Sequence, residues 1–321
     1  MIPARAPSRA LVLSGLASIY LLWGSTYLGI RVAVATMPPF LLMGVRYVIS
    51  GVVLLALVAG LRGLPALRLT RRQWLASAVI GVLLVAVGNG GVVWAEQTET
   101  SGIAAIMVST IPLWMALIGR FWLGERLGVA TIAGLALGFA GLVVLIGPDA
   151  TRTGRLLALA ALLAAALGWS AGSVYAKVGE VPADPLVASG AQMLLGGACG
   201  LVLAVVTGER LDLGVVSVSS WFAFAYLIVF GSVIGYAIYA FLLKWASIPL
   251  VSTYAYVNPV VAVALGWLLL GERLTIRSVA GAAVVIAAVA LIVGAQAWRA
   301  RVAGERQAAR REEPVPDPVA V

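Results

Sequence analysis

Residues 112–127 read PLWMALIGRFWLGERL, and residues 259–274 read PVVAVALGWLLLGERL. Both stretches place eleven mostly apolar residues between a proline and a Gly-Glu-Arg-Leu motif, and the copies stand 147 residues apart. Extended to Gly147 and Gly294, the alignment keeps 12 identities in 36 positions. An internal repeat of this kind indicates that the chain is built from two related halves.

The front of each half repeats more weakly, at an offset of 146 residues. Pro39 and Gly44 align there with Pro185 and Gly190. The repeat predicts a first half over residues 1–150 and a second half over 151–297, each with five membrane-spanning helices. The remaining segment, 298–321, combines arginines, acidic residues and alternating prolines. We predict that it is a disordered cytoplasmic tail, because such a segment has little apolar surface to bury.

The composition is that of a membrane protein. It is 62% hydrophobic and 11% charged, whereas soluble domains are roughly 25% charged. Apolar runs of about 20 residues recur, and a helix of that length crosses a bilayer. The runs are continuous and not alternating, which favours helices over a β-barrel. Ten spans fit: 11–31, 39–60, 74–94, 102–122, 128–147, 155–176, 185–207, 219–241, 249–270 and 275–297.

Five spans in each half is an odd number, so the second half would enter the membrane in the opposite orientation to the first. The predicted fold class is therefore an all-α membrane protein with ten transmembrane helices in two inverted five-helix repeats, a plan used by secondary transporters. Lys and Arg are concentrated in the loops on the N-terminal side and in the tail. This imbalance predicts that both termini are cytoplasmic.

Several function classes are disfavoured by what the sequence lacks. It contains no histidine and a single cysteine, Cys199, so it offers no His-based metal site and no intramolecular disulfide. We predict no cofactor and no enzyme activity. The glycine-rich run 88–91 lacks the strand and the Lys-Ser/Thr of a phosphate-binding loop. The net charge of +9 is explained by membrane orientation, so no nucleic-acid partner is expected.

The start Trp23-Gly24-Ser25-Thr26-Tyr27, together with the doubled Pro-x11-Gly-Glu-Arg-Leu block, resembles the EamA-type exporters of the drug/metabolite transporter superfamily. The resemblance covers about residues 10–297. It implies a ten-helix carrier of the bacterial inner membrane whose central cavity is lined by helices 1, 3, 4, 6, 8 and 9. Members of the family that are similar to this chain export amino acids, often aromatic ones, or other small metabolites.

Aromatic and polar residues inside the spans are the candidate substrate-binding residues. Tyrosine and tryptophan offer an apolar face and one hydrogen-bonding group, which suits a zwitterion with an apolar side chain. The alternative is an aromatic belt at the membrane interface, which we favour for Trp94, Tyr175 and Tyr239 because they lie near span ends, although Trp94 is kept among the candidates. The candidates are Trp23, Ser25, Thr26, Tyr27, Asn89, Trp94, Trp114, Trp169, Ser173, Tyr236, Tyr254 and Asn258.

Arg46 is the one charged residue that lies clearly inside a predicted span and not near its end. Because an intramembrane charge is costly, it marks a functional candidate. Glu96 and Glu99 lie on the same predicted side and could pair with Arg46 or Arg31. We assign Arg46 and Glu96 to gating or charge pairing, and leave open whether Arg46 is a structural latch or captures a substrate carboxylate.

The repeated motif itself has a mainly structural interpretation. Glycine would end one helix, and the negative charge of the following glutamate would stabilise the positive N-terminus of the next helix. Pro112 and Pro259 fall near the middle of spans four and nine, where proline kinks a helix.

These observations predict a secondary transporter that exports a small metabolite, such as an amino acid, across the bacterial inner membrane by alternating access. The alternatives are a channel-like facilitator and a membrane scaffold that transports nothing. The predicted partners are a small-molecule substrate and the lipid bilayer. The oligomeric state is open, with a monomer among the alternatives.

Overall fold

The computed structural model describes residues 7–124, 127–146, 153–246, 251 and 254–312, and these residues form helices, turns and irregular loops without strands. A short 3₁₀ turn at Leu64–Leu67 follows the second helix. The helices are α1 (Arg9–Ala33), α2 (Pro39–Arg62), α3 (Arg71–Ala95), α4 (Ser101–Trp122), α5 (Val129–Ile146), α6 (Thr153–Tyr175), α7 (Pro185–Val206), α8 (218–245), α9 (Tyr254–Leu270) and α10 (Ile276–Glu312).

Eight of these helices are long and apolar enough to cross a membrane within the described residues. The fifth and ninth predicted spans correspond to shorter apolar helices, Val129–Val144 within α5 and Val257–Leu270 within α9. The prediction of an all-helical, multi-pass membrane protein is therefore confirmed. Apart from the end of α10, the helix boundaries differ from the predicted spans by a few residues, because polar caps and flanking turns extend several helices beyond their apolar cores.

The last helix departs from the sequence prediction. We expected residues 298–321 to be a disordered tail, but α10 continues to Glu312. Residues 299–312 contain Ala, Arg, Glu and Gln and no proline. These are strong helix formers, so the helix propagates past the apolar segment instead of ending at its edge. Residues 313–321 lie outside the described part.

Helices α2 and α7 form an antiparallel pair in which the backbones are in contact. A Cβ atom on Gly51 would lie 2.7 Å from the Gly190 carbonyl oxygen, and one on Gly197 would lie 2.7 Å from the Val48 nitrogen. Only glycine permits this approach between membrane helices. At the ends of the pair, Arg62 forms an ion pair with Asp184. The two helices therefore join the halves of the chain along their whole length.

Helices α5 and α10 form a second antiparallel pair, in which Gly134 packs against Ile292 and Gly141 packs against Val285. This pair lies at the side of the molecule, and α10 is separated from α9 by a groove. The fold therefore has a central group of helices, which surrounds a cavity, and a peripheral pair.

Three helices have irregular backbone within the apolar region. Helices α3 and α8 widen into π-helix at Val82–Asn89 and Leu227–Ile234. Helix α4 is interrupted at Ser109 and Thr110, where one segment ends at Val108 and the next begins at Ile111. Such irregularities are tolerated inside a membrane only against protein or a wet cavity, and all three lie beside the central cavity described below.

The two predicted proline kinks have different outcomes. Pro112 lies in the first turn of the second segment of α4, where its missing N–H costs nothing. The helix is interrupted just before this proline, at Ser109 and Thr110, and not merely kinked. Pro259 lies inside α9, and the kink expected there stays a prediction.

Candidate functional site

A cavity of about 90 Å³ lies between the two halves at the centre of the molecule. At roughly 10–15 Å³ for each water-sized group, it holds a small solute. Helices α1, α2, α3, α4, α6, α8 and α9 surround it. Eight predicted substrate-binding residues line it, namely Trp23, Thr26, Tyr27, Asn89, Trp169, Tyr236, Tyr254 and Asn258. Arg46, Tyr47, Gly88 and Gly231 also line it, with the apolar residues Ile30, Val92, Val108, Ile111 and Ala165.

Trp23 is the centre of an aromatic cluster on one side of the cavity. Its ring lies 5.5 Å from Tyr236 and 5.1 Å from Tyr254, measured between centroids, and the contact with Tyr254 is edge-on. The indole Nε1 donates a hydrogen bond to the Gly231 carbonyl at 3.2 Å, in the π-helical part of α8. The cluster thus joins α1 of the first half to α8 and α9 of the second half. Tyr239, assigned by sequence to the interface belt, packs against Trp23 in a tilted arrangement with the ring centroids 5.1 Å apart.

Two asparagines supply amide groups to the cavity. The Asn89 Nδ2 donates to the Leu84 carbonyl at 3.2 Å, which satisfies a backbone group of the π-helical segment and leaves Oδ1 available to a ligand. The Asn258 side chain is buried, and its Oδ1 has no hydrogen-bond partner among the described residues. An unsatisfied buried acceptor costs free energy unless a bound group supplies a donor.

Arg46 is the cationic residue of the cavity wall, and it is 3% exposed. Its Nε donates to Ser232 Oγ at 3.0 Å, and its guanidinium lies 4.6 Å from the centroid of Tyr47. Within the described part of the chain, no carboxylate lies within ion-pairing distance of Arg46. The cavity therefore has a positive charge that no carboxylate of the described residues pairs with. A buried charge of this kind favours an anionic group in the site.

Four predicted binding residues lie away from the cavity. The Ser25 hydroxyl bonds to Tyr226 Oη at 2.5 Å and to the Leu21 carbonyl, and the Ser173 hydroxyl donates to the Trp169 carbonyl at 2.7 Å. Trp94 lies at the end of α3. Trp114 packs edge-on against Phe139 at 5.1 Å. Each side chain is on a helix that contributes to the cavity but projects from another face of it.

Tyr47 is a cavity residue that the sequence analysis missed. It is completely buried and adjoins Arg46 on α2, a helix outside the six that the family resemblance implies. The signal was present, since a tyrosine next to an intramembrane arginine is a natural cation–π partner.

The glutamate of the repeated motif contacts the opposite half of the chain. Glu272 Oε1 accepts from the Ser101 backbone N–H at 2.9 Å, and Oε2 accepts from the Gly102 N–H at 3.3 Å. We expected this glutamate to stabilise the start of the helix that follows it. Instead α10 is capped by Thr275. The Glu272 carboxylate fits between α9 and α4 because Gly266 has no side chain that would occupy the same space. Gly271 adopts φ 63°, which confirms its role in ending α9. Glu125 lies outside the described residues.

A group of charged residues surrounds this contact. The Arg31 Nη1 donates to the backbone carbonyl of Glu96, while Glu99 lies 3.4 Å from Arg155. Of the two alternatives for these glutamates, neither carboxylate pairs with Arg46 in the described residues, because Arg46 lies deeper, beside the cavity. Arg31 contacts Glu96 through the backbone carbonyl only. The Glu96 carboxyl is completely buried, and neither oxygen has a hydrogen-bond partner among the described residues. Burial, followed by the nearby Glu272 carboxylate and opposed by Arg31, raises the pKa of Glu96.

The raised pKa of Glu96 predicts a dependence of stability on pH. The folded protein holds this proton more tightly than the unfolded chain, so the free energy of unfolding should fall as pH rises from the ordinary pKa of a glutamate through the raised value. Glu96→Gln is neutral at every pH and should flatten this decline and raise the melting temperature at neutral pH. Thermal unfolding of the purified protein between about pH 5 and 8 measures it.

Glu180→Gln is the matched control, because Glu180 forms an exposed ion pair with Arg72 and exposed pairs contribute little to stability. If Glu96→Gln kept the slope of the wild-type protein, the buried carboxyl would not be the titrating group.

The fold and the cavity define a multi-pass helical membrane protein with a solute-sized, polar and aromatic chamber at its centre. The sequence matches the EamA-like transporter family twice, over residues 11–147 and 156–294. The chain belongs to that family, and it is a multi-pass inner-membrane transporter.

Two relatives from Escherichia coli K12 show how widely the similarity extends. The "Uncharacterized inner membrane transporter YedA" is 38% identical over 278 residues, covering 86% of this chain and 88% of that protein. The "Probable amino-acid metabolite efflux pump" is 25% identical over 301 residues, covering 88% and 94%. A protein crystal structure superposes with a TM-score of 0.62 at 24% identity, over 88% of this chain and 96% of the other, which supports the fold alone.

Proposed function

We propose that this protein exports a small metabolite that carries a carboxylate, such as an amino acid with an apolar side chain, through the central cavity. The observation that carries the proposal is Arg46, a buried guanidinium in the cavity wall without a carboxylate partner among the described residues. A planar guanidinium binds a carboxylate through two parallel hydrogen bonds. The relative named as an amino-acid metabolite efflux pump supports the same class of substrate.

The other binding residues fit the rest of such a molecule. Trp23, Tyr236 and Tyr254 form aromatic faces against which an apolar side chain or an ammonium group packs. The Oδ1 of Asn258, which has no partner among the described residues, accepts a hydrogen bond from the ammonium. Asn89 and Trp169, on the opposite wall, complete a site to which both halves of the chain contribute.

Alternating access would follow from two inverted five-helix halves, over residues 1–150 and 151–297, with both termini cytoplasmic. The contacts of α2 and α7 support this arrangement because they repeat with the halves exchanged. A Cβ on Gly44 would meet Leu201, and one on Gly190 would meet Leu55. Gly190 is the counterpart of Gly44, and Leu201 is the counterpart of Leu55, each 146 residues later. A two-fold axis between antiparallel helices produces such reciprocal contacts. The two π-helical segments, Val82–Asn89 and Leu227–Ile234, also lie at similar places in the two halves, 145 residues apart.

Transport by purified protein in liposomes tests the proposal. We expect saturable movement of at least one labelled amino acid or related carboxylate, competed by unlabelled solute, and none in empty liposomes. Flux that rises linearly with concentration and shows no counter-transport would identify a channel-like facilitator instead. No flux across a broad panel of carboxylates would overturn the assignment.

A further inference from the structure

We propose that the groove between α9 and α10 is a binding site for one anionic phospholipid, with its phosphate at an arginine cluster and one acyl chain along the groove. The groove has a volume of about 790 Å³, far larger than the central cavity. Its walls come from α9, α10 and the first turns of α4. The groove shares no lining residue with the central cavity, and substrate binding at Arg46 does not depend on it.

The groove is lined by apolar side chains along its length and by charged ones at a single end. Ile103, Val263 and Ile286 are among the apolar residues of its walls, and Trp267, 58% exposed, lies along its opening. Arg155, Arg273 and Arg277 line the charged end. A phosphate diester above an acyl chain has the same distribution of charge and apolar surface.

Two carboxylates at this end have partners within the protein. Glu272 accepts hydrogen bonds from the start of α4, and Glu99 pairs with Arg155. Arg273 and Arg277 lie on the loop before α10 and on its first turn, where a lipid headgroup would be. Arginine binds phosphate oxygens through its planar set of donors.

The depth of the groove matches one leaflet of a bilayer. From Arg277 to Ile286 the groove follows nine residues of α10, about 14 Å at 1.5 Å per residue. Half of a hydrocarbon core is about 15 Å thick. An acyl chain whose headgroup lies at the arginines would therefore end where the groove ends, near Pro259.

The repeat shows how the second half differs at the residues that line the groove. At the equivalent place between α4 and α5, large side chains fill the space, and these are Leu113, Leu117, Leu135 and Phe139. Their counterparts 147 residues later are Val260, Ala264, Ala282 and Ile286, which all line the groove. The second half has smaller side chains at each of the four positions. Arg277 likewise replaces Ala130. The same changes that open the space also add a cation at its mouth.

Two double variants test the two parts of this site. Arg273→Gln with Arg277→Gln removes the headgroup cations, while Ala264→Leu with Ala282→Leu restores the side chains of the first half and fills the groove. Because the first half packs with those leucines, the second variant should fold. Arg68→Gln with Arg71→Gln is the control for surface charge at another loop of the same protein.

The measurements use the full chain in nanodiscs of phosphatidylcholine with and without phosphatidylglycerol. Brominated phosphatidylglycerol should quench the fluorescence that Trp267 contributes, obtained as the difference from Trp267→Phe, more than brominated phosphatidylcholine does. Removing both arginines should reduce the preference for phosphatidylglycerol roughly 30-fold, and filling the groove should abolish the specific quenching. The control variant should behave as wild type.

Each other outcome overturns the proposal. Equal quenching by the two brominated lipids would mean ordinary contact with the bilayer. In a second measurement, the melting temperature is compared with phosphatidylglycerol and with glycerol phosphate; equal stabilisation by both would mean a site for a free anion. A change of oligomeric state in the leucine variant, with quenching retained, would mean that a second copy covers the groove. Because Arg46 is unchanged in all variants, substrate-dependent stabilisation reports on the proposed function separately.

Discussion

Replacing Arg46 by glutamine should strongly reduce saturable transport while leaving the folded protein at least as stable as the wild type. The two effects have opposite signs because Arg46 is a buried cation with no carboxylate near it in the described residues. Its burial costs free energy until an anion binds. Removing one partner of a buried charged pair costs a complex about 2 kcal/mol or more, so kcat/KM should fall about 30-fold or more.

The measurement combines liposome flux with the shift in melting temperature that the substrate causes, since a ligand that binds the native state raises its apparent stability. Arg46→Lys keeps the charge but loses the planar set of donors, and it should recover only part of the activity. Arg62→Gln makes the same chemical change at an exposed ion pair and should leave transport unchanged.

The alternative role for Arg46 predicts a different pattern. A structural latch would act through Ser232 and Tyr47, so its loss would lower the melting temperature and would not change the response of the folded fraction to substrate. Ser232→Ala separates the roles further. It removes the hydrogen bond that orients the guanidinium and should raise KM more than it changes stability.

The sequence was most informative about features that depend on nearby residues. The doubled Pro-x11-Gly-Glu-Arg-Leu block predicted the two related halves, and Gly271 ends its helix with a positive φ as expected. Deep aromatic and amide residues such as Trp23, Asn89 and Asn258 do line one cavity. Those predictions needed only spacing, depth and residue chemistry.

The features that the sequence did not reveal depend on which face of a helix meets which distant partner. Ser25 and Ser173 were chosen as polar groups at depth, yet both bond to carbonyls of their own helices, a local choice that serine makes readily. The π-helical turns change the rotation of α3 and α8, so helical periodicity alone does not orient the residues beyond them. Glu272 finds its partner 171 residues earlier in the chain, where no local pattern points to it.

The contact of Glu272 with α4 leads to the second large expected effect. Glu272→Gln should destabilise the protein by about 1.5–3 kcal/mol, because the carboxylate accepts from two backbone N–H groups and from the Ser101 hydroxyl at the positive end of a helix. A glutamine keeps one acceptor and turns an amide NH₂ toward a donor. Thermal unfolding measures this loss.

The same contact should hold one end of the transport path closed. It joins α4 of the first half to the loop between α9 and α10 of the second half, beside the charged group of Arg31, Glu96, Glu99 and Arg155. In an alternating-access cycle the halves separate at each end in turn. Weakening this contact by about 2 kcal/mol would multiply the population open at this end by roughly 30.

A cysteine at Val92 reports on that opening, since Val92 is buried in the cavity wall one turn from Glu96. In a Cys199→Ser background, the Val92→Cys protein should react with a maleimide much faster when it also carries Glu272→Gln. Arg62→Gln is the control, because its ion pair with Asp184 joins the two halves at the other end of α2. Equal labelling rates with and without Glu272→Gln, despite a lower melting temperature, would make Glu272 a helix cap without a part in gating. Faster labelling with Glu272→Gln but not with Arg62→Gln would mean that the repeated motif controls access to the cavity. The hydrogen bonds that cap α4 would then also hold the two halves together at this end.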